Sequence, residues 1–186
     1  MSTLADVLAA VEAAPARLGR VKLVAVDGPS GGGKSTFAKA LVEALGEHRT
    51  ALVPTDDFAT WDEPVSWWPN LASGALEPFR RGEPAVYRRT EWSDGLPRTG
   101  SEVRIDTPEI LVLEGVSSGR RSIRSSLSVL VWVCSGDREH RLKRAVARDG
   151  ETCAGPLSRW QDFEAGWFAV DGTREAADVL LAEHLR

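Results

Sequence analysis

Cysteine is nearly missing from this chain: Cys134 and Cys153 are the only two, and they form no C-x-x-C pair. One bridge at most could join them, and two reduced thiols are the simpler reading. Long apolar runs are missing too, since strand-like stretches such as Ile110–Leu113 end after a few residues, which excludes a helical membrane span. The N-terminal stretch lacks the uninterrupted apolar segment of a signal peptide because Asp6 and Glu12 break it. Leu4, Val7, Leu8 and Val11 instead mark one face of a short amphipathic helix. Positive charge is not in excess: 23 Lys and Arg against 27 Asp and Glu give a net charge of −4, with no general attraction for a polyanion. A cytoplasmic protein with neither nucleic acid nor membrane as partner is expected. No internal repeat or low-complexity tract is present.

What is present fits one domain with a substantial core, since 42% of the 186 residues are hydrophobic. Short apolar runs at Val21–Asp27, Ala51–Pro54, Ile110–Leu113 and Val129–Val133 read as strands, with Asp178–Leu181 as an edge strand. Helical patterning covers Lys34–Leu45, stopped by Gly46, and recurs at about Asp137–Arg148 and Leu157–Val170. Strands alternating with helices predict a three-layer α/β/α fold around a mostly parallel sheet. The stretch from about Ala59 to Thr107 breaks that alternation and reads as an insertion beside the functional site. Within it Trp68, Leu71, Ala72, Ala75 and Phe79 have helical spacing, although Gly74 weakens the pattern.

The run Gly28-Pro29-Ser30-Gly31-Gly32-Gly33-Lys34-Ser35 satisfies G-x-x-x-x-G-K-[ST] and is followed by Thr36. A strand precedes it and a helix follows, the context in which such a loop works. Glycines let backbone N–H groups converge on phosphate oxygens, and the helix dipole adds positive potential. Gly28, Ser30, Gly31, Gly32, Gly33, Lys34, Ser35 and Thr36 are the candidate nucleotide contacts. Lys34 would reach the β- and γ-phosphates, and the Ser35 hydroxyl would face Mg²⁺.

Carboxylates follow at the ends of two other strands. Asp56 and Asp57 close the second strand, where ligands of parallel sheets bind, and could take a proton or hold a metal through water; a plain turn or cap is the alternative. Glu114 ends the apolar run in ILVLEG and is the other candidate Mg²⁺-side acid, with Ser35 and Asp56. On the helix 137–150, Arg138, Arg141, Arg144 and Arg148 fall within about 120° of one face at 100° per residue. They could neutralise a phosphoryl group in transfer, Arg141 and Arg144 foremost, or form a solvated face paired with Asp137, Glu139 and Asp149.

Together these motifs resemble the uridine kinase and phosphoribulokinase group of P-loop kinases, particularly the short uridine-kinase-like proteins of actinobacteria. The likeness spans most of the chain after residue 20. It rests on AVDGPSGGGKST, on Asp56-Asp57-Phe58-Ala59 at the place of an Asp-Ser-Phe-Tyr run, on LVLEG, and on REHRLKRAVARD at the lid helix. The resemblance implies an ATP- and Mg²⁺-dependent kinase of an alcohol acceptor, with Asp56 as base and residues 137–150 as lid. The absence of an Asn-Lys-x-Asp guanine motif also favours ATP. One segment departs from the pattern: where nucleoside-specific members have Tyr-Asp-Phe-x-x-His, this chain has Tyr87-Arg88-Arg89-Thr90-Glu91-Trp92. Asp57, Trp61, Tyr87, Arg89 and Trp92 are the candidate acceptor-side residues. The tryptophans could stack on a base or sugar, or simply pack the insertion, and the arginines could receive a phosphate or carboxylate. A nucleoside is the expected acceptor, with a nucleoside monophosphate or a sugar or metabolite acid as alternative. A nucleotide-dependent switch is the alternative of another class, and self-association is left open.

Overall fold

The computed structural model describes residues 2–61, 65–93 and 96–181; residues 62–64 and 94–95 of the expected insertion lie outside them. The chain opens with helix α1 (Leu4–Ala13), whose first turn is closed by a reciprocal Thr3–Asp6 capping box and whose Val7 and Val11 are buried. Strand β1 (Lys22–Asp27) runs into the glycine-rich loop, and helix α2 (Lys34–Leu45) leaves it, burying Phe37, Ala38, Leu41 and Leu45. Strand β2 (Thr50–Pro54) follows and ends in a 3₁₀ turn, Thr55–Asp57.

The insertion then supplies a helical run. Helix α3 (Trp68–Leu71) passes through a π-helical turn, Ala72–Leu76, into helix α4 (Glu77–Arg81). Pro78 cannot donate to the ladder, and the wider turn precedes it. Leu71, Ala75 and Phe79 are buried as their spacing predicts. Gly74 has a positive use: a Cβ there would sit 3.0 Å from Tyr87 Cβ, so its absence lets the next strand lie close. That strand, β3 (Ala85–Ser93), pairs antiparallel with β4 (Leu96–Ile105) in a two-stranded ribbon apart from the main sheet.

Strand β5 (Ile110–Glu114), strand β6 (Val129–Val133), helix α5 (Arg138–Asp149), helix α6 (Ala154–Asp171) and strand β7 (Val179–Leu181) complete the chain. The main sheet is parallel, in the order β2-β5-β1-β6-β7. Its centre, β1, pairs with both β5 and β6, and β7 lies at an edge as expected. One sheet face packs Val24, Val26, Val112 and Val131 against α1 and α2. The other packs Leu23, Ala25, Leu111 and Leu113 against Trp67, Leu71, Phe79 and Tyr87 of the insertion. The insertion is thus part of the core and not only a neighbour of the site. Cys134 and Cys153 are free thiols. Among the described residues no helix is long and apolar enough to cross a membrane.

Candidate active site

The carboxyl ends of β1, β2 and β5 converge on one crevice, the place where open parallel sheets bind ligands. At its centre the loop 28–35 curls around the amino end of α2. Gly28 has φ of 144°, and a Cβ on it would fall 2.1 Å from the Val133 carbonyl oxygen. Gly31, at φ of 68°, lies equally close to the Arg141 carbonyl on α5, so only glycine fits either place. Lys34 is almost wholly buried, and its Nζ donates to the Pro29 carbonyl at 3.0 Å.

The structure brings Ser35 and Glu114 together: the Ser35 hydroxyl donates to Glu114 Oε1 at 3.2 Å. Burial raises the Glu114 carboxyl above its usual range, and the neighbouring Asp56 adds to that, while Lys34 opposes it. Such paired hard oxygens beside a phosphate loop fit Mg²⁺, which takes one or two protein oxygens and completes its octahedron with phosphate and water. No cage of three or more His, Cys, Asp or Glu exists among the described residues; a magnesium site of this kind needs none.

A cleft of about 940 Å³ runs from the loop past Asp56 and Glu114 to Trp61 and Trp92. Asp56 is exposed to it from the turn after β2. Trp61 and Trp92 meet edge to face, ring centres 5.2 Å apart, and bring the β3–β4 ribbon to the cleft mouth.

The other acceptor-side candidates lie elsewhere. The Tyr87 hydroxyl donates to Asp57 Oδ2 at 2.8 Å, and its ring packs 4.6 Å from that of Phe58. Burial and this bond together push the Tyr87 hydroxyl well up, and burial also raises Asp57. Neither residue lines the cleft. Arg89 sits at a register shift in β3, where a bulge re-aims the side chain, and its Nε donates to Glu91 and Ser101 of the exposed ribbon. Arg88 and Arg89 are likewise outside the cleft lining.

The arginine face of α5 divides. Arg144 lines the cleft, donating from Nε to the Gly31 carbonyl at 2.9 Å and also to the Ser135 carbonyl. Arg148 lines the cleft as well, held by Asp149 at 2.6 and 2.7 Å. Arg141 turns the other way, to the Gly136 carbonyl at 2.8 Å, and Arg138 pairs with Asp162. Arg141 and Arg148 share a helix azimuth but stand two turns apart, about 10 Å along the axis, so only one of them reaches the acids. The expected emphasis on Arg141 and Arg144 therefore shifts in this geometry to Arg144 and Arg148.

Two acids without a motif complete the site. Asp27, at the tip of β1, is fully buried and accepts from the N–H groups of Gly28, Ser117 and Gly119 at 2.7, 3.0 and 2.8 Å. Glu164 of α6 is buried against Ser30. A carboxylate directly before the glycine loop could have marked Asp27; no sequence pattern marks Glu164.

The phosphate-loop motif stands between β1 and α2 of a parallel α/β sheet, and solved structures share this fold. A possible uridine kinase from Bacillus stearothermophilus superposes with a TM-score of 0.64 at 16% identity, over 96% of this chain and 95% of its own. A candidate fructose transport system kinase from Silicibacter sp. TM1040 gives 0.61 at 21%, over 97% and 99%. D-glycerate 3-kinase from Cryptococcus neoformans gives 0.58 at 15%, over 88% and 85%. At such identities the likeness carries the fold and leaves the substrate open. No family model matches the sequence, and no curated protein matches it.

Proposed function

We propose that the chain is an ATP- and Mg²⁺-dependent kinase that phosphorylates a hydroxyl of a small, uncharged acceptor with a flat or apolar face, a nucleoside being the leading class. The observation that carries this reading is the continuity of the cleft: it extends beyond the phosphate loop, past Asp56, to the Trp61–Trp92 pair. A nucleotide switch has no need of that second chamber, and a kinase requires it.

In this reading the loop amides and Lys34 hold the triphosphate of ATP. Mg²⁺, when bound, neutralises charge on the β- and γ-phosphates; Ser35 and Glu114 would hold it, with Asp56 acting through water. Asp56 accepts the proton of the acceptor hydroxyl as its oxygen bonds to the γ-phosphorus. The bond from that phosphorus to the β–γ bridging oxygen breaks, and ADP leaves. Arg144 and Arg148 line the same cleft as the loop and Asp56, which supports assigning them the electrostatic stabilisation of charge on the transferred group. Arg88 and Arg89 are the residues that would receive an acceptor carrying a phosphate or carboxylate. Their place on the ribbon, outside the cleft lining, favours the uncharged acceptor.

The test is ADP release screened over nucleosides, nucleoside monophosphates and small hydroxylated metabolites, with uridine and cytidine first. Release that rises only with an acceptor supports the kinase; equal release with and without every acceptor supports the switch. With an acceptor in hand, Lys34→Ala should abolish turnover. Asp56→Asn should lower kcat by about 10²-fold or more with nucleotide affinity unchanged. Near-normal kcat in that variant removes Asp56 as the base.

A further inference from the structure

The phosphate loop is gripped from behind by a residue that no motif contains. Glu164, only 2% exposed, projects from α6 and accepts from the Ser30 N–H at 2.9 Å and 3.1 Å through its two oxygens. The Ser30 hydroxyl also donates to Glu164, at 2.7 Å, and accepts from Trp160 Nε1 at 2.6 Å. Every polar group of Ser30 on the side of its N–H and hydroxyl is thus directed to α6. Behind the loop lies a separate cavity of about 280 Å³, bounded by Pro29 on one side and by Gln161, Glu164 and Phe168 of α6 on the other. The Gln161 amide is buried without a hydrogen-bond partner there, so packing on this side of the loop is incomplete.

From this arrangement we infer that Glu164 is a positioning residue for nucleotide binding: its carboxylate fixes the apex of the phosphate loop through Ser30 and keeps the loop from relaxing toward the cavity behind it. The inference rests on the nucleotide-site reading above and assigns Ser30 a different role within it. Ser30 holds the loop and gives its hydrogen bonds to protein. The N–H groups that converge on phosphate are then those beyond it, from Gly31 and from Gly33 to Thr36, since the Gly32 N–H is bonded to the Pro29 carbonyl at 3.0 Å.

The balance of charge makes the choice of a carboxylate informative. An acid close behind a phosphate site opposes a polyanion, and burial raises Glu164 as well, Lys34 being the chief opposing influence. A group kept at that electrostatic disadvantage has a geometric task, and here it is a fork that receives N–H and O–H of one residue together. An amide of the same shape can do this without charge when its oxygen takes the place of Oε2, which accepts both the N–H and the O–H; its nitrogen then stands at the longer contact, 3.1 Å from the Ser30 nitrogen.

The experiment is calorimetric titration of Mg·ADP into the full chain and variants, with thermal melts alongside. Glu164→Ala should weaken Mg·ADP about tenfold, in keeping with loss of hydrogen bonds to a buried charged group. At saturating ATP its kcat should stay within about threefold of the parent, so the loss appears in KM. Glu164→Gln should recover affinity to within about threefold, because the amide oxygen keeps the two shorter bonds from Ser30. A merely structural role would lower the melting temperature of Glu164→Ala and leave Mg·ADP affinity at the parent level, which would overturn the inference. Glu164→Gln as weak as Glu164→Ala would overturn it too, by assigning the effect to charge. Should Glu164→Ala fail to melt cooperatively, Ser30→Ala decides: about threefold weaker binding is expected, and unchanged affinity is the contrary result. If the unaltered chain binds no Mg·ADP, the nucleotide-site reading falls first and this one with it. Binding by the parent with equal binding by Glu164→Ala removes this one alone.

Discussion

At the scale of single residues, the useful contrast is between Asp56 and Asp57. They are adjacent in sequence, yet the 3₁₀ turn after β2 points them to different surroundings. Asp56 faces the cleft, and Asp57 faces the Tyr87 hydroxyl at 2.8 Å. That bond joins the end of a core strand to the ribbon, so Tyr87 supports the site from outside it. Tyr87→Phe removes the donor and leaves a half-buried carboxylate without it, a loss of about 1 kcal/mol. The expected result is a lower melting temperature with the KM for acceptor unchanged; a raised acceptor KM at unchanged stability would make Tyr87 a binding residue instead. The family resemblance makes Tyr87 a candidate acceptor-side residue. Its actual partner, thirty positions back in the chain, has no local signature.

At the scale of elements, legibility followed periodicity. The parallel strands, α2 and the helical run around Leu71, Ala75 and Phe79 were readable because each buries a regular face, and period alone reports that. The β3–β4 ribbon was not readable. Of its first strand only Ala85 and Tyr87 are buried, and Arg88, Arg89, Glu91 and Trp92 are exposed, so no alternation survives to mark it. Helix α5 shows a subtler limit. Azimuth on a helical wheel grouped four arginines, but position along the axis decided which of them reach Asp56 and Glu114. Arg148→Ala should therefore reduce kcat by about 10²-fold, through lost stabilisation of the transferred phosphoryl group. Arg141→Ala, two turns away and bonded to the Gly136 carbonyl, should change kcat by less than about threefold. Steady-state kinetics at saturating ATP and acceptor makes the comparison, and the reverse ranking would restore the wheel's reading.

For the molecule as a whole, the converging strand ends and helix α6 behind the loop gather several acids in poor contact with water. Burial is the foremost cause of the upward shift at Asp27, Asp57, Glu114 and Glu164. Lys34 offsets it at Asp27, Glu114 and Glu164, so one lysine serves three carboxylates besides any phosphate. Asp27 is the extreme case, raised from 3.8 to about 7 although three N–H groups favour its charged form. The sign of the consequence follows from proton linkage. With the folded value above the unfolded one, the folded chain holds a proton that the unfolded chain has released between about pH 4 and pH 7. The stability this contributes is complete below pH 3.8 and is lost as pH rises to about 7, beyond which the contribution stays constant. The other three raised acids act in the same direction, so the nucleotide-free protein should melt at lower temperature as pH rises across that window. Asp27→Asn removes the largest single contributor. Its amide nitrogen meets an N–H group where a carboxylate oxygen stood, so the variant starts from a lower stability at every pH. The informative quantity is the slope: melting temperature against pH should be visibly flatter in Asp27→Asn than in the parent. Parallel lines would mean that Asp27 is ionised throughout the window and that its three N–H partners outweigh its burial.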